Sequence, residues 1–382
     1  MALLTTGDPA PWFIAPSSGN PNYNFHSAAG RYLVLCFFGS AGLNPVSIML
    51  KKIMDAQNVF QDQHASFFGV SFDPEDLKQK RAKEKIPGVR FFWDFEQKIG
   101  KLYKVISDIN SDRKNKKVFS PVSFILDTNL RILAVLPIKN PENHADELIH
   151  YVKTLPPLTA TGLVTPGAPI LIVPRLFEKS FCQELIKLYD LKGGTESGFM
   201  RNDSSGKTVL VVDHNHKRRS DYSIEEEEIQ RQIKLRIERR LVPEILKAFQ
   251  FHVTRIERYI VARYSAGEGG YFKPHRDNTT KGTAHRRFAV TINLNAEDYE
   301  GGDLKFPEYD QRTYRAPTGG AVVFSCSLLH EATPVVKGNR YCCLPFLYDE
   351  GGAKIREQNL DFLGDDKLRD QLKQSLGVAK PK

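Results

Sequence analysis

The stretch Tyr32-Leu33-Val34-Leu35-Cys36-Phe37-Phe38 is an unbroken apolar run that decides the fold of the amino-terminal half. A continuous run of this length predicts a β-strand that is buried on both faces. A glycine turn over 39–42 follows it, and apolar residues then recur at helical spacing over 46–60. Further apolar runs alternate with charged helical segments up to residue 137. Such alternation of strands and helices predicts an α/β domain.

An uncharged stretch rich in Pro, Gly and Thr separates the two halves of the chain, TLPPLTATGLVTPGAPILIVP over 154–174. It cannot sustain a helix, so it predicts a linker that ends in a short strand. The chain of 382 residues is also too long for one ordinary core. We therefore predict two domains, over 1–155 and 173–382, joined by a linker over 156–172.

The composition is that of a globular protein, with 41% hydrophobic and 26% charged residues. No apolar run approaches the roughly 20 residues that a membrane span requires, and the amino terminus has no basic segment of the secretory type. Five scattered cysteines without a CxxC pair argue against a disulfide framework or a thiolate zinc site. We expect a reducing, cytoplasmic environment and no membrane partner.

The net charge of +9 is spread evenly along the chain and is not gathered in a basic arm. Local basic clusters lie at Arg113–Lys117 and Lys217–Arg219. Because no aromatic residues are interleaved with them, we interpret both clusters as solvated loops. A nucleic-acid partner is therefore not expected.

The carboxyl-terminal half carries the residues that indicate chemistry. From residue 256 onward, short strands, the first predicted over 256–264, alternate with Gly- and Pro-rich turns, which predicts a β-sandwich or barrel. In Tyr271-Phe272-Lys273-Pro274-His275-Arg276-Asp277, the imidazole of His275 and the carboxylate of Asp277 point to the same side of an extended segment. His330 follows on a distant strand, and Arg340 comes ten residues later.

Two histidines and one carboxylate form a set that holds Fe(II) on one side and leaves positions open for an organic acid and dioxygen. The planar, always-charged guanidinium of Arg340 suits the far carboxylate of such an acid. The sequence therefore favours a metal centre at His275, Asp277 and His330 with an acidic co-substrate.

These motifs resemble the prolyl-4-hydroxylase-like branch of the Fe(II)/2-oxoglutarate dioxygenases over residues 170–350. The matching blocks are Arg263-Tyr264-Ser265, Pro274–Asp277, Tyr299–Leu304 and Leu329–Arg340, and the last two are especially similar to the PKHD-type bacterial hydroxylases. The resemblance implies a double-stranded β-helix (jelly roll) with flanking helices.

The same resemblance implies roles for individual residues. His275, Asp277 and His330 would bind Fe(II), and Arg340 would hold the C5 carboxylate of 2-oxoglutarate. Tyr264 matches a tyrosine that often hydrogen-bonds the co-substrate, and two weaker co-substrate candidates on the next strand are Thr291 and Asn293. No catalytic residue beyond the metal centre is implied.

The implied reaction is the oxidative decarboxylation of 2-oxoglutarate, with dioxygen as the other co-substrate, coupled to hydroxylation of a C–H bond, and ascorbate is a possible further cofactor. Two substrate classes stay open: a protein or peptide residue, with proline favoured, and a small molecule such as a free amino acid or natural-product precursor. The segments 199–217 and 278–287, which are expected to cover the entrance of the active site, contain no recognisable motif for a substrate class. A nucleic-acid demethylase is disfavoured, because Leu344–Leu347 lacks the further arginine of the base-repair dioxygenases.

Residues 5–155 resemble the thioredoxin-like peroxiredoxins of the AhpC/TSA type. The matching runs are Gly7–Pro11, Arg31–Phe38 and Ser120–Asp127, with Pro121 at the cis-proline position of thioredoxin-like folds. Ser47 stands where that family has its peroxidatic cysteine.

A serine hydroxyl lacks the accessible thiolate that peroxide chemistry requires, and Cys36 lies inside the apolar strand. We predict an α/β thioredoxin-like domain that kept the fold, lost the activity and serves in substrate docking, dimerisation or support of the second domain. A thiol peroxidase and a non-enzymatic binding module are the distant alternatives for the whole chain.

Overall fold

The computed structural model describes residues 3–111, 114–158, 167–309, 311–365 and 369–370, without the side chains of 108–111 and 114–116. The chain divides into two compact units, 1–163 and 164–382, which are treated separately below. Part of the predicted linker, over 159–166, lies outside the described residues, as does Arg113 of the first basic cluster. Within the described ranges, no helix is both long enough and apolar enough to cross a membrane.

In the described part of the first unit, the strands are β1 (Ile14–Ala15), β2 (Tyr23–Asn24), β3 (Tyr32–Gly39), β4 (Ala65–Ser71), β5 (Val89–Trp93), β6 (Ile106–Ser111), β7 (Lys114–Phe119), β8 (Val122–Leu126) and β9 (Ile132–Pro137). The helices are α1 (Asn44–Asp55), α2 (Pro74–Lys78), α3 (Lys98–Leu102) and α4 (Pro141–Thr154).

Strand β3 is the centre of a five-stranded sheet with the order β5-β4-β3-β8-β9. It runs parallel to β4 and antiparallel to β8. Its even-numbered side chains pack with residues of α1 and α4 on one face of the sheet. Its odd-numbered side chains pack with Phe68 and Phe124 on the other face. The prediction of a strand buried on both faces is therefore confirmed.

The turn between β3 and α1 is where the resemblance places a peroxidatic cysteine. Ser47 is exposed there, and its hydroxyl donates a hydrogen bond to the carbonyl of Asn44 at 2.8 Å. Cys36 is fully buried, and burial raises the pKa of its thiol to about 12. The peptide bond before Pro121 is trans, so the cis-proline expectation is wrong, and the cis bond of the described residues lies at Ile86–Pro87.

In the described part of the second unit, the strands are β10 (Leu171–Val173), β11 (Thr195–Glu196), β12 (Phe199–Asn202), β13 (Thr208–Val211), β14 (Lys217–Arg218), β15 (Ser220–Ser223), β16 (Arg255–Glu257), β17 (Ile260–Ser265), β18 (Tyr271–His275), β19 (Phe288–Asn293), β20 (Glu300–Gly301), β21 (Leu304–Lys305), β22 (Thr313–Tyr314), β23 (Ala321–Ser325), β24 (His330–Ala332), β25 (Val335–Lys337), β26 (Asn339–Cys343) and β27 (Phe346–Tyr348). The helices are α5 (Lys179–Lys192), α6 (Glu227–Arg240), α7 (Val242–Phe249) and α8 (Glu350–Gln358).

Two antiparallel sheets organise this unit. The larger sheet has the order β10-β23-β19-β26-β17-β15-β11, with β16 and β27 paired beside it, and the smaller sheet has the order β14-β18-β24-β21-β22. Apolar residues of α5, α6 and α7 pack on the larger sheet, as Leu185, Ile237 and Ile245 show. The larger sheet carries Arg340 on β26 and the smaller one carries His275 on β18, so both sheets contribute to the site described next.

Candidate metal centre and its cavity

Strand pairing brings three potential metal ligands together. In the pairing of β18 with β24, His275 lies directly opposite His330, and Asp277 follows β18 by two residues. The Nε2 atom of His275 is 3.7 Å from Oδ1 of Asp277, and the Nε2 atom of His330 is 3.4 Å from Oδ2. Ligand atoms of all three residues lie within 4.8 Å of one another, in the one such cluster found within the described residues.

Each histidine is oriented by a hydrogen bond at its other ring nitrogen. Nδ1 of His275 lies 2.7 Å from the carbonyl of Lys273, and Nδ1 of His330 lies 3.0 Å from the carbonyl of Leu328. Because a carbonyl only accepts, both Nδ1 atoms carry a proton, and a neutral ring then has a free Nε2 lone pair. These lone pairs face the carboxylate of Asp277.

The electrostatics of the cluster suit a cation. Burial, aided by the neighbouring His330, lowers the pKa of His275 to about 3, so its imidazole is neutral at physiological pH. Burial by itself would raise the pKa of Asp277, but the positive charges around it, among them Arg286 and Arg258, outweigh burial and hold that pKa below its usual value. Two imidazoles and one carboxylate are the donor set of non-haem Fe(II) sites. The residues present therefore fit an Fe(II) ion.

Arg340 lies on β26 opposite Tyr264 on β17 and has an unused capacity for hydrogen bonding. It is 2% exposed, and its guanidinium carbon lies 5.0 Å from the ring centroid of Tyr264. Its Nε and Nη1 atoms are buried with no acceptor among the described residues, and the buried hydroxyl of Tyr299 likewise has no partner there. A buried guanidinium with unused donors is costly until an anion joins it. Arg340 therefore fits a carboxylate of 2-oxoglutarate.

A cavity of about 910 Å³ connects these groups, and its lining includes His275, Asp277, His330, Arg340, Tyr264 and Thr291. The Tyr264 hydroxyl accepts a hydrogen bond from Nη1 of Arg219 at 3.3 Å. Asn293 is not among the lining residues, and its amide donates to the carbonyl of Ala316 at 2.7 Å. The structure thus places Tyr264 and Thr291 in the cavity and does not bring Asn293 to it.

The interpretation of Lys217–Arg219 as a solvated loop is wrong. Lys217 and Arg219 are 5% and 7% exposed, and both line the cavity. Nζ of Lys217 donates to the Ser197 hydroxyl at 2.7 Å, and Nη2 of Arg219 lies 2.6 Å from Oδ2 of Asp221. The alternation of Lys217, Arg219 and Asp221 is a period-2 signal that could have predicted side chains on one face of an extended segment.

Two further arginines of the cavity carry no recognisable sequence motif. The guanidinium carbons of Arg258 and Arg286 lie 4.3 and 4.0 Å from the ring centroid of Phe346. Arg286 also forms a salt bridge of 2.7 Å with Glu257. Sequence reasoning missed both residues, because only the pairing of distant strands brings them to the cavity.

Comparison with known families supports a two-domain architecture. Residues 259–348 match the family model described as 2OG-Fe(II) oxygenase superfamily, and residues 6–135 match the one described as AhpC/TSA family. The second unit thus resembles the 2OG-Fe(II) oxygenases and the first resembles the peroxiredoxins, as predicted.

Individual relatives cover parts of the chain. The PKHD-type hydroxylase Syncc9605_1577 of Synechococcus sp. (strain CC9605) is 35% identical over 106 residues, which are 27% of this chain and 46% of that protein. Procollagen-lysine,2-oxoglutarate 5-dioxygenase 1 of Mus musculus is 28% identical over 218 residues, 54% of this chain and 28% of that protein. The crystal structure of peroxidoxin BcpB from Mycobacterium tuberculosis aligns with a TM-score of 0.35 and 19% identity, covering 40% of this chain and 99% of that one. The chain therefore spans less than half the length of both hydroxylases.

Proposed function

We propose that the second unit is an Fe(II)- and 2-oxoglutarate-dependent dioxygenase that hydroxylates a C–H bond, built on a double-stranded β-helix within residues 173–382. The observation that carries the proposal is the convergence of His275, Asp277 and His330 on one cavity with Arg340, whose Nε and Nη1 have no acceptor among the described residues. The match of residues 259–348 to the oxygenase superfamily supports the same chemistry.

The chain would hold the metal through Nε2 of His275, Nε2 of His330 and a carboxylate oxygen of Asp277. When bound, Fe(II) supplies the oxidative decarboxylation of 2-oxoglutarate and the transfer of one oxygen atom to the substrate C–H bond. The carbonyls of Lys273 and Leu328 fix the tautomer that leaves Nε2 free, as the hydrogen-bond acceptors of metal-binding histidines do in other proteins. The ring of Phe272 stacks on His275 at 3.5 Å between centroids and restricts its rotation.

Arg340 would bind the carboxylate of 2-oxoglutarate that lies away from the metal. Within the part of the chain that the structure describes, its Nε and Nη1 donors lack acceptors, and such an anion would satisfy them. Gly302 leaves room for the stem of this side chain, since a Cβ atom there would lie 3.2 Å from Cδ of Arg340. Tyr264, over whose ring the guanidinium lies, and Thr291 are the polar groups we propose as further contacts.

We propose a protein residue as the favoured substrate. One relative is named for procollagen-lysine, and the cavity of about 910 Å³ is large enough for a side chain beside a co-substrate. A small molecule is the alternative, and the experiment below separates the two. We also propose that the first unit has no peroxidase activity, because Ser47 replaces the reactive cysteine and Cys36 is buried.

The proposal is tested by measuring succinate formed from 2-oxoglutarate with Fe(II) and ascorbate, first without substrate and then with a proteome-derived peptide pool. Slow succinate formation is expected in the wild type, lost in His275→Ala and retained in His252→Ala, which replaces an exposed histidine outside the cavity. Stimulation by the peptides supports a protein target, and stimulation only by a pool of small metabolites supports the alternative. Equal succinate formation in wild type and His275→Ala would disprove the metal assignment.

A further inference from the structure

A second guanidinium, that of Arg258, faces the same cavity with most of its hydrogen-bonding capacity unused. Its Nε donates to the carbonyl of Leu344 at 3.0 Å. Arg258 lines the cavity, and within the described part of the chain no hydrogen bond from its two Nη groups is present. Arg258 therefore presents a full positive charge and several N–H donors to whatever enters.

Two neighbouring arginines are each paired with a carboxylate, whereas Arg258 forms no salt bridge with any described residue. Arg219 is bound to Asp221 at 2.6 Å and Arg286 to Glu257 at 2.7 Å. Arg258 thus adds a third guanidinium beside these two ion pairs, while the remaining nearby carboxylate, that of Asp277, belongs to the proposed metal site. Burial, together with the positive charges of Arg286 and Arg219, lowers the pKa of Arg258 to about 10. An anion that entered here would relieve this crowding of like charges.

The backbone at Arg258 also departs from that of an ordinary strand. Arg258 adopts a left-handed conformation with φ of +58°, which glycine or asparagine would adopt at lower cost. Residues held in this region tend to lie at functional sites. The contact with the ring of Phe346 at 4.3 Å holds the guanidinium in a defined orientation.

We propose that Arg258 binds a carboxylate of the molecule that is hydroxylated, so that the primary substrate is acidic. This inference rests on the function proposed above, in which the metal and Arg340 account for the two carboxylates of 2-oxoglutarate. The planar guanidinium matches a carboxylate through two parallel hydrogen bonds, and Phe346 keeps it oriented for that pairing. The carboxylate can belong to an acidic side chain of a peptide or to the α-carboxyl group of a small acid, since both offer the same chemistry.

The test measures binding to the full chain with Fe(II) and 2-oxoglutarate in the absence of oxygen. Three matched probes are titrated and followed by saturation-transfer NMR: N-acetylglutamic acid α-amide, which has a side-chain carboxylate, N-acetylglutamine, which has an α-carboxylate, and the neutral N-acetylglutaminamide. At least one charged probe is expected to bind about tenfold more tightly than the neutral one. Preference for the side-chain carboxylate indicates a peptide, and preference for the α-carboxylate indicates a small acid.

The variant Arg258→Asn tests the assignment, because asparagine is neutral and tolerates the left-handed backbone. It is expected to lose the preference for the charged probe, while Arg258→Lys keeps part of it. The control Arg255→Asn should keep all of it, since Arg255 is exposed, does not line the cavity and pairs with Glu350 at 3.0 Å. Equal binding of charged and neutral probes by the wild type, or an unchanged preference in Arg258→Asn, would overturn the inference.

Thermal unfolding tests the proposed function independently of the assignment of Arg258. Fe(II) and 2-oxoglutarate are expected to raise the melting temperature of the wild type through preferential binding to the folded state. If they do not, the proposed function fails, whereas the comparison of probes between wild type and Arg258→Asn still reports on the anion site.

Discussion

Replacing Arg340 by methionine is expected to weaken the binding of 2-oxoglutarate while leaving the unliganded chain at least as stable as before. Removing one partner of a buried, hydrogen-bonded charge pair costs about 2–5 kcal/mol of binding free energy. At about 1.4 kcal/mol for each factor of ten, the affinity for 2-oxoglutarate should fall by roughly 30-fold to several thousand-fold. The large range reflects how many of the donors the carboxylate uses.

Without 2-oxoglutarate, the same substitution should stabilise the folded chain or leave its stability unchanged. Nε and Nη1 of Arg340 are buried without acceptors among the described residues, and each such group costs about 1–3 kcal/mol. The attraction between the Arg340 guanidinium and the Tyr264 ring, 5.0 Å away, stabilises the wild type by about 2 kcal/mol at most, and the variant loses it. Methionine has a similar length and leaves no donor unpaired, so the free energy of unfolding should rise by about 0–4 kcal/mol.

Both effects are measured by thermal unfolding of wild type and Arg340→Met, with Fe(II) present and with increasing 2-oxoglutarate. The variant should melt at the same or a higher temperature without 2-oxoglutarate and should show a much smaller increase when it is added. Arg340→Lys keeps the charge without the planar fork and should lie between the two. An unchanged affinity in Arg340→Met, or a variant several kcal/mol less stable without ligand, would refute the role of this residue.

Three further predictions concern stability and thiol reactivity. All five cysteines are buried, so the native chain should show no fast-reacting thiol towards Ellman's reagent, and Ser47→Cys should add one. The hydrogen bonds from Arg90 hold the pKa of Asp62 at about 2, below its ordinary value of 3.8. Ionised Asp62 therefore contributes about 1–2 kcal/mol, present above pH 4 and lost as the pH falls to about 2, and urea unfolding of Asp62→Asn at pH 7 should show that loss. Glu257→Gln should lower the free energy of unfolding by about 3–5 kcal/mol, because it leaves Arg286 buried without its charged partner, and an unchanged melting temperature would contradict this.

The metal cluster could be predicted because most of its geometry is local. The side chains of His275 and Asp277 share a side of one extended segment by the alternation of a strand, whatever the rest of the fold does. His330 is distant in sequence, so its place beside the other two ligands depends on the pairing of β18 with β24, which sets it opposite His275. The assignment of these three residues to iron and of Arg340 to 2-oxoglutarate stays a prediction until it is measured.

The arginines of the cavity could not be predicted, because their positions depend on which strands pair. The apolar pattern predicts one strand over 256–264, whereas the structure breaks it at Arg258 into β16 and β17. The two parts have different partners, since β16 pairs with β27 and β17 pairs with β26. Side-chain periodicity does not encode such a change of partner. The break turns Arg258 towards the cavity, where a regular strand would have continued.

In the first unit, the turn that follows β3 is held in place without a thiol. Asp76 is fully buried beneath the turn that follows β3, where it accepts hydrogen bonds from the N–H of Ala41 at 2.8 Å and the hydroxyl of Ser71 at 2.7 Å. The turn is therefore held from inside by a carboxylate, and the nearest cation is Arg81, at 3.5 Å from its other oxygen. Arg81 lies 3.3 Å from Asp73 as well, so its charge is already shared by two carboxylates and would do little to favour a thiolate at position 47. The thiol of Ser47→Cys should consequently react as an ordinary exposed thiol and should not restore peroxide turnover.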